Sequence, residues 1–367
     1  MDYLELVKTV GILTGISGGL ALLMSIAQNT VGNYGEKTIV INGEKELTMD
    51  GGDTLLAGLI DNEVFLPSAC GGKGTCGYCK CKVVSGGGQI LPTETGLVTP
   101  DEIAQGIRLS CQLKVKEDIK IEVPEEYLSL KQYETTVTRI DDVTDTIKHV
   151  FLKLPEGEEI IFKPGQYVQI LAPEYQGNDE EVYRAYSIAS SPSKTTEIEL
   201  LIGYIPEGIA TTYVHQHLQV GDKLNIIGPF GHFFYQDTDK PMIFVGSGTG
   251  VAPNLSIVRY MQENNIQRPG LFLSAGRHVD DLFLQDEFAQ MKKALPNLNF
   301  RFSVTQPEPG AWNGPTEWVT DGLKLLIDDA SGMEAYLCGS PVTIEQIVTI
   351  LKEKGMSEDQ IFYDKFQ

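Results

Sequence analysis

The sequence predicts a multidomain chain with four parts. These are an N-terminal transmembrane helix, a small mixed-sheet domain around a cysteine-rich loop, an antiparallel β-barrel and an α/β domain with a parallel sheet. Three observations predict this order. No charged side chain occurs from Thr9 through Gly35. From about Tyr133 to Phe234, short alternating segments are separated by Pro, Gly and Asp, the mark of a small antiparallel barrel. From Lys240 the texture changes to strand-like runs alternating with helical ones, as a doubly wound parallel sheet requires. The expected boundaries are 1–36, 37–126, 132–236 and 237–367. With 367 residues, 42% of them hydrophobic, the chain can bury more than one core. Its net charge of −21 argues against nucleic acid as a partner, because a polyanion demands a basic surface.

The first element rests on TVGILTGISGGLALLMSIAQNTVGNYG, apolar in its first two thirds. A membrane-crossing helix needs about 20 such residues. Gly11, Gly15, Gly18 and Gly19 place small residues at helical spacing, where a second transmembrane helix could pack closely. A cleaved signal peptide is the rival, since Ser25-Ile26-Ala27 resembles a processing site. Asp2 and Glu5 against Lys8 deny it the basic leading region such a peptide needs. Lys37 and Lys45 follow the run while Lys8 precedes it, which predicts that the remainder faces the cytoplasm.

In 37–126, KTIVINGEKELTM alternates as a hairpin with Asn42-Gly43 at its turn, and TLLAGLIDN reads as a short helix. CKCKVV reads as a strand, and IRLSCQLKVKEDIKIEV as strands carrying Cys111. Cys70, Cys76, Cys79 and Cys111 are spaced C-x5-C-x2-C-x31-C. Two short gaps and one long one point to a [2Fe–2S] cluster wrapped by a glycine loop. Gly71, Gly72, Gly74 and Gly77 let backbone N–H groups approach the sulfurs. Zinc is disfavoured, because no second close pair and no histidine lies near. A disulfide framework is disfavoured by the length of the chain. Cys81 reads as a small buried strand residue.

In the barrel, Arg184-Ala185-Tyr186-Ser187 combines a guanidinium able to hold pyrophosphate, a ring able to stack and a hydroxyl able to reach a flavin edge. Gly208-Ile209-Ala210-Thr211-Thr212 opens a helix, where N–H groups favour anions. With Gly228-Pro229-Phe230-Gly231, these segments resemble the RxYS motif, second flavin-phosphate segment and barrel-closing turn of the ferredoxin-NADP reductase superfamily. In the last domain, Gly246-Ser247-Gly248-Thr249-Gly250-Val251-Ala252-Pro253 follows the strand MIFV and resembles that family's GxGTGxAP dinucleotide loop. Cys338-Gly339-Ser340-Pro341 resembles its CGxP motif. The resemblance implies FAD held by Arg184 through Ser187 and by Gly208 through Thr212. It implies a dinucleotide held by Gly246, Gly248, Thr249 and Gly250, and by Arg277, Cys338, Gly339 and Pro341. Ser187 and Cys338 would orient flavin N5 and nicotinamide C4, Asp364 would lie near the nicotinamide, and Phe366 would cover the flavin. Asp280 and Asp281 beside Arg277 favour NADH over NADPH, whose 2′-phosphate needs several basic groups.

The order of helix, β-grasp ferredoxin unit, flavin barrel and nucleotide domain resembles, over the whole chain, the family of F subunits of sodium-translocating NADH:quinone oxidoreductases. Two departures are visible: a reductase half shorter by a few dozen residues, and Phe366-Gln367 at the end. The resemblance implies a membrane-anchored NADH dehydrogenase module. Hydride would pass from NADH to FAD, and single electrons through the [2Fe–2S] cluster to integral subunits of a respiratory complex. It would be held by one helix in the inner membrane with its redox domains in the cytoplasm. Two alternatives stay open: the reductase component of an oxygenase, and a membrane-held relay that does not turn over NADH.

Overall fold

The computed structural model describes residues 3–31 and 34–365. By packing the chain divides into two units, Met1–Leu66 with Gly72–Ser129, and Pro67–Gly71 with Leu130–Gln367.

The charge-free run forms helix α1 (Tyr3–Val31). Its described apolar side chains Val10, Ile12, Leu13, Ile16, Leu20, Leu22 and Met24 are exposed. Thr14 satisfies its hydroxyl inside the helix by donating to the Val10 carbonyl at 2.8 Å. Among the described residues no helix is long and apolar enough to cross a membrane; the α1 side chains at 3, 4, 6, 7, 9, 23 and 25–31 lie outside them.

Beyond α1, the first unit is a mixed five-stranded sheet. Strands β1 (Glu36–Ile41) and β2 (Lys45–Asp50) form the expected hairpin. Asn42 and Gly43 hold φ of 53° and 76°, the left-handed geometry that an Asn-Gly turn supplies. Thr54 caps helix α2 (Leu55–Asp61) by accepting from Ala57 N. Strand β3 (Lys80–Ser85) leaves the cysteine loop. A capping box of Thr99 and Glu102, with Pro100 in the first turn, starts α3 (Pro100–Ala104). Strands β4 (Ile107–Leu109) and β5 (Ile119–Glu122) and helix α4 (Glu125–Leu128) complete the unit. The sheet order is β2-β1-β5-β3-β4, with β1 and β5 parallel. Ile39, Ile41, Leu55, Leu59, Leu109 and Ile119 are fully buried beneath it. The segment expected to be strand around Cys111 is a turn instead, because β4 ends at Leu109 and Gln112 N and Leu113 N both donate back to the Leu109 carbonyl.

The second unit opens with six antiparallel strands: β6 (Lys131–Thr144), β7 (Ile147–Lys153), β8 (Tyr167–Ala172), β9 (Val182–Ser187), β10 (Glu197–Gly203) and β11 (Lys223–Phe230). Their order is β10-β7-β6-β11-β8-β9. A bridge between Ile188 and Leu200 brings the two edges together, so the sheet curls into a barrel around Val150, Val168, Ile198 and Leu200. The expected helix is α5 (Ile209–Thr212), continued by a wider turn, Tyr213–His217.

A parallel sheet follows, made of β12 (Met242–Gly246), β13 (Gly270–Gly276), β14 (Leu298–Val304), β15 (Glu334–Gly339) and β16 (Ile361–Lys365). Helices α6 (Val251–Glu263), α7 (Gln285–Ala294), α8 (Val319–Leu326) and α9 (Pro341–Glu353) connect them. The order β14-β13-β12-β15-β16 reverses direction between β12 and β15. In such sheets ligands bind at that switch, beyond the carboxyl ends of the strands. Gly246 pairs with Cys338 there, which brings the two expected nucleotide motifs side by side.

Candidate functional site

Cys76, Cys79 and Cys111 are buried in the first unit. Gly72, Gly74 and Gly77 take φ of 83°, 71° and 73°, a backbone that side-chain-bearing residues resist, so the tight loop requires glycine. The long gap closes because Ser110 N donates to the Cys79 carbonyl at 2.9 Å. Cys79 is pushed far above the usual thiol range, first by its hydrogen bond with Cys111 and then by burial. Two such thiols in contact suit metal: on binding an iron–sulfur cluster they would release their protons to solvent and serve as thiolate ligands. Cys70, also buried, lies in the segment that packs with the second unit, and its carbonyl accepts from Arg184 Nη1 at 3.2 Å. Among the described residues no three His, Cys, Asp or Glu side chains are grouped as a single-ion site requires. Cys81 behaves as expected of a core residue, its thiol pushed up to about 12 by burial.

The loop beyond β3 is tied down by an ion pair that sequence reading missed. Arg108 meets Glu94 at 2.6 Å and donates to the carbonyls of Gly87 and Gln89 at 2.7 and 3.1 Å. Glu94 also accepts from the backbone of Leu91 and Leu109, so all its oxygen capacity is used despite full burial. No local pattern announces a pair fourteen residues apart.

Arg184, Ala185, Tyr186 and Ser187 lie on β9. Ser187 is buried at the strand end and pairs with Tyr167, while burial pushes the Tyr186 phenol up. One guanidinium nitrogen of Arg184 is already committed to the Tyr183 and Cys70 carbonyls. Gly208 caps α5, which contains Ile209, Ala210, Thr211 and Thr212. The Thr211 hydroxyl serves the local turn, accepting from Ile205 N at 3.2 Å and lying near the Gly208 carbonyl at 3.2 Å. Its backbone, not its hydroxyl, is what the segment offers an anion.

The glycine loop is closely packed on two sides. A Cβ at Gly250 would lie 2.5 Å from the Cys338 carbonyl oxygen, and one at Gly203 would lie 3.2 Å from Thr249 Cγ2. The loop is thus pressed between β15 and barrel strand β10, and β10 meets the flavin motif through the bridge of Leu200 to Ile188. Asn254 in α6 is fully buried, and neither carboxamide atom has a partner among the described residues. Its Nδ2 lies 2.9 Å from the place of a Gly246 Cβ, so an orphaned amide sits at the switch point. Gly248 and Thr249 make one tight helical turn before α6, and Gly339 and Pro341 lead into α9. Arg277 is exposed after β13. The Asp281 carboxylate accepts from Arg277 N and His278 N at 2.8 and 2.9 Å, so it shapes this turn. Gly250 is not in the left-handed region, so its need is steric. Gly250→Ala is expected to weaken NADH binding about tenfold, ~1.4 kcal/mol, with flavin content unchanged in an equilibrium titration.

Asp364 is on β16 in register with Cys338, so the tail is a paired strand up to Lys365. Phe366 lies outside the described residues. Burial and the Asp364 charge push the Cys338 thiol well up, which keeps it a neutral thiol at physiological pH. Burial pushes the Asp364 carboxyl up to about 6, from an ordinary 3.8. Between these values the folded chain holds a proton that the unfolded chain has lost. Stability therefore falls as pH rises through that window and levels off above it. Asp364→Asn is expected to remove this slope and to add on the order of 3 kcal/mol at pH 7, read from melting curves between pH 4 and 8.

Three family models match the chain: a 2Fe-2S iron-sulfur cluster binding domain over 39–116, an oxidoreductase FAD-binding domain over 134–235 and an oxidoreductase NAD-binding domain over 244–349. The chain is thus an oxidoreductase assembled from [2Fe–2S], FAD and NAD modules. Among solved structures, an Amycolatopsis cytochrome P450 reductase, GcoB, matches with a TM-score of 0.73 at 27% identity, covering 90% of this chain and 98% of that one. The ferredoxin reductase in carbazole 1,9a-dioxygenase, at 24% identity and TM-score 0.70, covers 90% and 98% and shares the fold. Among curated relatives, the F subunit of the Na(+)-translocating NADH-quinone reductase of Neisseria meningitidis serogroup C is 36% identical over 404 residues, covering 99% of this chain and 100% of that protein. The corresponding Pseudomonas aeruginosa protein is 35% identical over 402 residues, covering 99% and 98%. With motifs, fold and full-length similarity in agreement, the chain belongs to the family of F subunits of Na(+)-translocating NADH-quinone reductases.

Proposed function

We propose that this chain is the NADH-oxidising entry module of a membrane quinone reductase, with Cys70, Cys76, Cys79 and Cys111 at its electron exit. The observation that carries it is the joining of cysteine loop, flavin motif and switch-point glycine loop in one chain whose whole length matches F subunits of Na(+)-translocating NADH-quinone reductases. When bound, nicotinamide, flavin and cluster supply the chemistry, a hydride taken to flavin N5 and its two electrons released singly through the cluster.

The residues hold and orient. Arg184 offsets pyrophosphate charge with the guanidinium donors that Tyr183 and Cys70 leave free, and the α5 backbone from Gly208 to Thr212 adds N–H groups. Tyr186 stacks and Ser187 addresses the flavin edge, while Phe366 covers it. Gly246, Gly248, Thr249 and Gly250 admit the dinucleotide backbone, with Gly339, Pro341 and Arg277 at its borders. Cys338, neutral and buried, acts by packing against the nicotinamide and not as a nucleophile. Asp364 beside it carries the site's titration near pH 6. NADH is the preferred donor, because Asp280 and Asp281 follow Arg277 closely where the 2′-phosphate of NADPH would need several basic groups. α1 is the membrane anchor, supported by the charge-free run Thr9–Gly35 and its exposed apolar side chains. It holds the redox domains on the cytoplasmic side of the inner membrane beside integral subunits, which raises the effective concentration of cluster and acceptor.

The test is anaerobic addition of NADH to the cofactor-loaded protein. Bleaching of the flavin absorbance followed by the cluster's is expected. Unchanged flavin absorbance with cofactors bound would sink the reading. Copurification of a hydroxylase, in place of integral quinone-reductase subunits, would decide for the oxygenase alternative. Release of the chain from membranes by alkaline carbonate would overturn the anchor.

A further inference from the structure

We propose that Gln112 sets the reduction potential of the cluster by donating a hydrogen bond from its carboxamide to the Cys111 sulfur; this rests on the cluster assignment above. Gln112 Nε2 lies 3.4 Å from Cys111 Sγ and 3.4 Å from the Cys111 carbonyl oxygen. Both neighbours are acceptors at this site, so the nitrogen and not the oxygen of the carboxamide must face them. The side chain is held there from two directions. Its backbone is pinned by Gln112 N donating to the Leu109 carbonyl at 3.0 Å. On the other side it lies over Gly74 of the cysteine loop, where a Cβ would come within 2.5 Å of Nε2 and 2.7 Å of Cδ. Gly74 at φ 71° therefore serves two needs, the turn and the space for this carboxamide.

The consequence follows from charge. An electron added to the cluster increases the negative charge on its thiolates, so a donor aimed at one of them stabilises the reduced form more than the oxidised form. The bond thereby raises the potential and makes transfer from flavin to cluster more favourable. A carboxamide that only filled space would be replaceable by an apolar side chain of similar length at no cost in potential.

The experiment is a redox titration of the full-length holoprotein followed by electron paramagnetic resonance of the reduced cluster, with the flavin absorbance as internal reference. Gln112→Met is expected to move the cluster midpoint negative by about the equivalent of a tenfold change in equilibrium constant, 59 mV for one electron, and to leave the flavin midpoints unchanged. Gln112→Glu, which loses the donor and gains a charge, is expected to move it further the same way. An unshifted midpoint in Gln112→Met with an intact cluster signal overturns the proposal. Should the variants fail to assemble, wild-type protein carrying 15N-labelled glutamine side chains provides the second measurement. A resolved 15N hyperfine coupling to the reduced cluster supports the bond, and its absence overturns it. A wild-type protein that never shows a reduced-cluster signal overturns the cluster assignment as well, which separates the two failures.

Discussion

Cys79→Ser is expected to abolish one-electron output while leaving NADH oxidation by the flavin intact. Cys79 is the most buried of the four expected ligands, its sulfur hydrogen-bonds with Cys111, and its carbonyl fixes Ser110 at 2.9 Å. A serine oxygen is a harder, more weakly donating ligand with a shorter reach, so the pair can no longer hold iron suited to thiolate. The second unit has its own barrel core around Val150 and Leu200, to which Cys79 contributes nothing. Iron and sulfide content should drop to background and the reduced-cluster signal should vanish. Transfer to a one-electron quinone-type acceptor should fall by about a hundredfold or more, ~2.7 kcal/mol in rate terms. NADH-dependent reduction of a dye that takes electrons from flavin should stay within about twofold. Retained iron with unaltered one-electron transfer would remove Cys79 from the ligand set.

Arg259→Met should be the most damaging single change to the stability of the second unit. Glu199 on β10 is 3% exposed and meets His149 Nε2 at 3.0 Å, Lys194 Nζ at 2.7 Å and Arg259 Nη1 at 2.7 Å. Arg259 on α6 also reaches Glu287 on α7 at 2.7 Å and the Ala189 carbonyl at 2.9 Å. One guanidinium thus fastens barrel strand to nucleotide-domain helices, beside Ser256 Oγ donating to the Ser190 carbonyl at 2.7 Å. Burial by itself would raise the Glu199 carboxyl, but the His149 hydrogen bond and the charges of Arg259 and Lys194 outweigh it and hold the group far below its usual value. Removing one member of a buried pair costs about 3 to 5 kcal/mol, on the order of 10 °C in melting temperature at this size.

The pH dependence has a definite sign. Because the Glu199 carboxyl is depressed, its contribution is complete above the unfolded value near 4.5 and is lost as pH falls through the folded value. Arg259→Met should therefore shift the acid unfolding midpoint upward and shorten the stable plateau. An acid limb identical to wild type would show that Lys194 and His149 alone hold the carboxylate. The same latch positions the loop that Thr249 presses against Gly203, so slower hydride transfer should accompany the lost stability.

Local chemistry makes much of this protein legible without coordinates. The Asn42-Gly43 turn, the six alternating barrel segments and the strand MIFV leading into Gly246 through Gly250 each depend on residues adjacent in the chain, where backbone propensity and period-2 patterning act directly. The same is true of the cysteine spacing, since a loop of glycines at positive φ must surround it. Alternation misleads at Cys111, because in IRLSCQLKV it continues past Leu109 as a strand would, whereas the turn there is imposed by two backbone bonds to one carbonyl. Helix α3 is legible in principle, as Thr99-Pro100-Asp101-Glu102 is a capping box.

The rest is decided by contacts between distant residues. Glu94 meets Arg108, Glu199 meets Arg259, and Arg268 meets Glu334 at 2.9 Å, each pair joining residues from different elements and each with its carboxylate buried. A lone Glu or Arg reads as surface until its partner is known, because only a pair can leave water at tolerable cost. The orphaned Asn254 amide, the Asp364 carboxyl against Cys338 and the Gln112 carboxamide over Gly74 are of the same kind. Spacing and glycine placement by themselves establish which cofactors the chain is built for. How its ionisable and amide groups surround them is set by packing, since desolvation and register exist only once strands and helices have met.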